Sequence, residues 1–212
     1  MARFYAACLA SYNNGVLHGR WIEATSNIDE MQAEVSAMLR ESKFPNVTVK
    51  CPVCEGTGKT TFHNSETGAT RQGPCYECLG FGHVDSAEEW AMHDSEGLPS
   101  SIGEYSGLQP IADFIELVEE HDSFEEDDLM AILSDYRTIE ECRDALDDSF
   151  VGIYDSFKDY AEEAADEMLA AHDIRDSHPL MQYFDYDSYA RDLRHSMNAV
   201  ELPSNKVAIF HA

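Results

Sequence analysis

Four of the six cysteines stand in two matching stretches, CPVCEGTGK at 51–59 and CYECLGFGH at 75–83, each reading C-x-x-C-x-G-x-G. Cys51, Cys54, Cys75 and Cys78 have twenty residues between the inner pair, the spacing of a zinc ribbon. Four thiolates suit one tetrahedral Zn2+, and the glycines let backbone amides approach the sulfurs. Such a site is coordinatively closed, so it holds a fold together and offers no open position for catalysis. With Cys8 and Cys142 isolated, the pattern is metal usage instead of a disulfide framework, and it points to a reducing cytoplasm.

Other residues with chemical potential carry less. Pro74-Cys75-Tyr76-Glu77-Cys78 fits half of the zinc-deaminase pattern H-x-E…P-C-x-x-C, but His63 is followed by Asn64-Ser65. Cys142 shares a helical face with Ile139 and Leu146, which reads as a buried small hydrophobe, and Cys8 reads likewise. His18-Gly19-Arg20-Trp21 reads as part of a strand. Histidines 93, 121, 172, 195 and 211 make no H-E-x-x-H or triad pattern, and no carboxylate pair stands out. No catalytic residue is assigned, and the chain reads as a non-enzyme.

Charge is the second chemical feature. There are 41 Asp/Glu against 14 Lys/Arg, a net of −27. Residues 1–84 hold 8 acids and 7 bases; residues 85–212 hold 33 and 7. That asymmetry disfavours direct nucleic-acid binding, because the acidic part repels phosphate. No apolar stretch reaches membrane-spanning length, and the N-terminus lacks a signal-peptide core.

The elements that must position these groups follow from periodicity. Residues 3–10 and 16–23 read as strands around Asn14-Gly15, 28–41 as a helix capped by Asn27, and 88–94 as a strand. Helices are expected at 108–121 (Ile111, Phe114, Ile115 and Val118 inward), 124–136 and 138–149, the last with a Thr138/Glu141 capping box. A strand at 150–154 precedes a helix at 156–171 capped by Ser156, with Phe157, Tyr160, Ala164 and Met168 inward. A short helix near 186–195 and a hairpin around Pro203-Ser204-Asn205 close the chain. The fold class is α+β, in three parts. A small β-β-α-β N-terminal domain spans 1–106 with the zinc module inserted at 46–84; an acidic helical domain spans 107–149; an acidic α+β C-terminal domain spans 150–212.

Acids crowd the helix faces opposite these apolar stripes: Asp113, Glu116, Glu119 and Glu120, then Glu125, Glu126, Asp127 and Asp128, then Asp144, Asp147 and Asp148, then Asp159, Glu162, Glu163, Asp166 and Glu167. Like charges three or four apart on a helix destabilise it by roughly 0.2–0.5 kcal/mol per pair. An ordinary solvated face would intersperse lysines, and here Lys158 is nearly alone. Adaptation to high salt would acidify the whole chain, whereas the first 84 residues are balanced. A plain soluble acidic surface stays open as one reading, and imitation of phosphate is another that the magnitude permits. Duplex DNA carries one charge per ~1.7 Å, so the net charge after residue 84 corresponds to roughly 13 base pairs.

Two resemblances attach to these residues. The cysteine stretches resemble the zinc region of DnaJ chaperones, which has four such repeats and two zincs; this chain has two repeats, enough for one. The J-domain signature His-Pro-Asp is absent, the nearest match being His178-Pro179-Leu180. That resemblance implies a chaperone-like or adaptor module gripping protein clients. A longer resemblance runs through ACLASYNNGVLHGRWIEA at 7–24, AEEWAMHDSEGL at 87–98, YDSFKDYAEE at 154–163 and HPLMQYFDYDSYARDL at 178–193. Together these look like the ArdA antirestriction family. It implies an elongated, dimeric, three-domain DNA mimic carried by a phage, plasmid or transposon and acting in the host cytoplasm. Its expected partner is a type I restriction-modification enzyme, whose DNA groove it occupies. Within 178–193, Tyr183, Asp185, Tyr186, Tyr189, Ala190, Arg191, Asp192 and Leu193 match the family's antirestriction motif. The zinc module departs from the family pattern.

Overall fold

The computed structural model describes residues 2–63, 65, 67–174 and 177–212. It is a mixed α+β structure whose described residues form seven α-helices, one short 3-10 helix and ten strands in four small sheets. The chain divides into two compact units, Met1–Ile115 and Glu116–Ala212.

The first unit runs β1 (Arg3–Cys8), α1 (Leu9–Asn13), β2 (Gly19–Glu23), α2 (Ile28–Arg40), β3 (Val47–Lys50), β4 (Lys59–His63), β5 (Thr70–Pro74), β6 (His83–Ser86) and β7 (Trp90–Glu96). β1 is the middle strand of an antiparallel sheet ordered β2-β1-β7. The expected hairpin pairing is therefore present, with one correction. Residues 9–13 form α1 instead of extending the first strand, because the Cys8 sulfur accepts from the Ser11 amide and the Asn14 side chain donates to the Ala10 carbonyl. Gly15, at φ +75°, then turns the chain back.

Asn27 caps α2 by accepting from the amides of Asp29 and Glu30 at 3.1 and 3.4 Å, as its side-chain type predicts. Asp29 and Glu30 in the first turn and Arg40 in the last complement the helix dipole. Met31, Val35, Met38 and Leu39 are buried on the face that meets β1 and β2, beside Phe4, Ala6 and Ile22. Each such side chain contributes about 1.5–3 kcal/mol by leaving water. The segment between α2 and β7 leaves and returns at one place. The Asn46 amide donates to the Ser86 carbonyl, the Glu88 amide to the Asn46 side chain, and β3 pairs with β6 above that seam.

The boundary between the units falls inside α3 (Gln109–Glu120). Its buried stripe is Ile111, Phe114 and Leu117 with Ala112; Ile115 and Val118, expected inward, are only half-buried. The second unit continues with α4 (Glu126–Leu133), α5 (Ile139–Asp148), β8 (Phe150–Tyr154), α6 (Phe157–Ala171), a 3-10 helix (Met181–Tyr183), α7 (Tyr186–Leu193), β9 (Met197–Glu201) and β10 (Val207–His211). Its sheet is ordered β8-β10-β9 and is antiparallel throughout. Central β10 is buried on both faces, which explains its unbroken apolar run Val207-Ala208-Ile209-Phe210. Val207 and Ile209 pack with Tyr160, Met197, Phe157 and Leu193. On the other face Phe210 stacks against Phe150 at 5.4 Å, and Phe150 against Phe124 at 5.2 Å.

Ser156 caps α6 through the Asp159 amide. The buried stripe of α6 is Tyr160, Ala161, Ala165 and Leu169; Met168, expected inward, is 36% exposed. Alanine-rich helices leave the phase of the apolar stripe weakly marked, so a one-residue rotation is easily missed. Thr138 caps α5 by accepting from the Glu141 amide, but the Glu141 carboxylate reaches back to the Arg137 amide, one residue before the cap.

Candidate functional sites: cysteine knuckles and acidic helices

The two C-x-x-C-x-G-x-G stretches fold as near copies. Each begins at a strand end, Lys50 or Pro74, and each passes through three left-handed residues: Glu55, Gly56 and Gly58 in one, Leu79, Gly80 and Gly82 in the other. The Gly58 amide donates to the Cys54 sulfur at 3.2 Å and the Gly82 amide to the Cys78 sulfur at 3.1 Å. The copies also interlock. The Cys51 amide donates to the Gly82 carbonyl at 2.9 Å and the Cys75 amide to the Gly58 carbonyl at 2.8 Å. A side chain on Gly58 would run into the Gly80 carbonyl, and one on Gly82 into the Gly56 carbonyl. These two glycines are required by close backbone approach as well as by φ.

This reciprocal packing brings Cys51, Cys54, Cys75 and Cys78 together, all buried, with their sulfurs within 4.8 Å of one another. Cys51 and Cys75 are 3.8 Å apart and Cys54 and Cys78 3.6 Å. Tetrahedral coordination at about 2.3 Å per sulfur requires sulfur–sulfur separations near ~3.8 Å, so the four groups fit a metal ion. Burial would raise the thiol of Cys54, but donors from Gly58 and Gly56 and the adjacent thiols outweigh it and lower its pKa to about 6. At Cys51 burial prevails and pushes the pKa up to about 11. A cation bound among them would offset the negative charge of four clustered thiolates. The strands β3 to β6, which sequence reading left unassigned, carry this centre; the alternation in Val47-Thr48-Val49-Lys50 was the available signal.

The acidic residues distribute differently. Glu116, Glu119, Glu120, Glu125, Asp127, Asp144, Asp147, Asp148, Asp159, Glu163, Asp166 and Glu167 are exposed, and Asp113, Glu126 and Glu162 half-exposed. Asp128 corrects the expectation of a surface role: it is 4% exposed, and its Oδ1 accepts from the Ser204 amide at 3.1 Å. It ties α4 to the β9–β10 turn. The second unit holds 26 Asp/Glu against 7 Lys/Arg. Arg143 bridges Glu116 and Glu120, and Lys158 reaches Asp187 and Glu162. Few basic groups are therefore spread among many carboxylates. Among the described residues, most of these carboxylates are exposed to solvent.

A family model described as antirestriction protein (ArdA) matches residues 4–205. The chain belongs to the ArdA family. Membership supports an antirestriction function and interaction with restriction enzymes. The comparison with curated proteins finds no match.

Within this ArdA-family chain, the segment 183–193, expected from the resemblance to carry the antirestriction motif, anchors α7 on α6. Asp185 caps α7 by accepting from the Ser188 amide at 3.0 Å. Those hydrogen bonds from Ser188, together with Arg191 nearby, hold its carboxyl below the usual range. Tyr186 donates to Asp166 of α6 at 2.6 Å, and Leu193 joins the cluster around Tyr160. Tyr189 rests against Phe184, Ala190 is half-buried, and Arg191 pairs with Asp192 on the outer side. Tyr183 is 78% exposed. Cys142 is fully buried, and that burial raises its pKa to about 12, as befits a packing residue. His18 bonds the Met38 carbonyl at 2.8 Å, and Arg20 bridges Glu34 and Glu41, so both serve the first unit's fold. Among the described residues, no helix is long and apolar enough to cross a membrane.

Proposed function

We propose that this chain is a DNA mimic that occupies the DNA-binding groove of a type I restriction-modification enzyme. The observation that carries the reading is the outward carboxylate array of α3, α5 and α6, set on helix faces opposite buried stripes and almost without lysine. Lys and Arg of a DNA channel engage these carboxylates in place of phosphates. Because the acids are fixed on folded helices, no duplex needs to be bent, and the field steers association. Cys51, Cys54, Cys75 and Cys78 hold one structural Zn2+, which supplies coordination and no open catalytic position. The acting species is a homodimer in the cytoplasm of the host cell, and it engages protein partners without binding nucleic acid or membrane itself.

The test is competition between the purified protein and duplex DNA for a type I methyltransferase across a salt series. Displacement at low salt that weakens steeply as salt rises is expected. Absence of displacement at low salt overturns the reading for that enzyme.

A further inference from the structure

The two knuckles share a backbone but not a surface. At the positions where the first carries Pro52, Glu55 and Thr57, the second carries Tyr76, Leu79 and Phe81. These three are 64%, 74% and 80% exposed. The metal centre does not call for them, because the first knuckle builds its half with polar residues at Glu55 and Thr57. Nor does the backbone: Leu79 sits at φ +53°, as Glu55 does at +52°, a conformation that disfavours any side chain with a Cβ. The chain thus places a leucine where neither burial nor backbone preference rewards it, flanked by two exposed aromatic rings.

Resting on the proposed function, we infer that this apolar rim is a second, uncharged contact with the restriction enzyme. It docks into an apolar surface outside the basic channel that takes the carboxylates. Charge and size select that occupant. Residues 46–84 carry three Lys/Arg (Lys50, Lys59, Arg71) and three Asp/Glu (Glu55, Glu66, Glu77), so the module adds nothing to a phosphate mimic. Three such side chains, partly covered as they are, present on the order of 500 Å². A standard stable interface needs about 800 Å² per partner, too much for this rim alone to join two copies that each bear a charge of −27. As an addition to a partner already gripped electrostatically by the same chain, a small apolar contact is effective, since its association is intramolecular. Exposed Tyr and Phe are also side chains favoured as interface anchors.

The double variant Leu79→Asn, Phe81→Thr tests this in the full chain. Both changes are uncharged, asparagine tolerates left-handed backbone, and threonine copies Thr57. Zinc content and the thermal transition verify that the module is intact. Against the type I methyltransferase, the variant is expected to bind about tenfold or more weakly, with the salt slope of the parent. Equal affinity with zinc retained overturns the inference and leaves the proposed function standing. A change in sedimentation of the free protein at unchanged affinity overturns it too, by making a second copy the occupant. No binding by the parent chain at low salt removes the proposed function and this inference together.

Discussion

Residues 46–84 balance three acids against three bases, and the buried hydrophobic cluster there is four cysteines with Val84 packed beside them. Residues 116–212 set 26 acids against 7 bases and bury apolar layers on both faces of a sheet. The first region has almost no hydrophobic reason to fold and is built on a four-cysteine cluster fit for a metal and on interlocked glycines. The second has a full core, so its surface is free to accumulate like charge at a stability cost the core absorbs. The proposed charge-dependent function thus falls to the region with the larger apolar core.

The sharpest way to break this comparison is to remove the metal. Cys75→Ser, or chelation, should unfold β3 to β6 while the β2-β1-β7 sheet and the second unit remain, since structural zinc is worth about 10–16 kcal/mol in small domains. Amide NMR dispersion for residues 47–86 checks this; a folded module without metal would show that it has another source of stability. Second in size, Glu119→Lys, Glu163→Lys and Glu167→Lys together should weaken binding to a type I methyltransferase by roughly ten- to a hundredfold and flatten its salt dependence. Far-UV circular dichroism should stay as in the parent, because these three exposed side chains form no ion pair among the described residues. Unchanged binding would remove α3 and α6 from the contact.

A closer comparison sets neighbours against each other. Asp128→Ala should lower stability by about 1–3 kcal/mol, because it strips the Ser204 amide of its acceptor, while Asp127→Ala should stay within about 0.5 kcal/mol. Urea denaturation distinguishes them, and equal effects would deny Asp128 its structural role. The smallest effect concerns Asp185. Its carboxyl pKa is lowered in the fold from the ordinary 3.8, so its capping contribution is fully present above that value and is lost as pH falls through the lower, folded pKa. Amide exchange of α7 in acid should rise in that window, and Asp185→Asn should remove the pH dependence.

Legibility followed the physics of each signal. The cysteine spacing predicted the four-sulfur cluster, and the caps Asn27, Thr138 and Ser156 were readable because short polar side chains satisfy helix-end amides locally. The phase of α6 was not, since alanines blur the boundary of its stripe. The interlock of Gly58 with Gly80 and Gly82 with Gly56 was invisible, because it joins segments more than twenty residues apart.

The sequence by itself determined the ArdA-family membership, the charge asymmetry and the four-cysteine set, all of which are properties of residue identity and local spacing. The tertiary structure alone decided which acids remain on the surface. Asp127 and Asp128 are alike and adjacent in the chain, yet one faces water and the other accepts the amide of Ser204. A contact 76 residues away in sequence leaves no local trace, and burial is settled only when the elements pack.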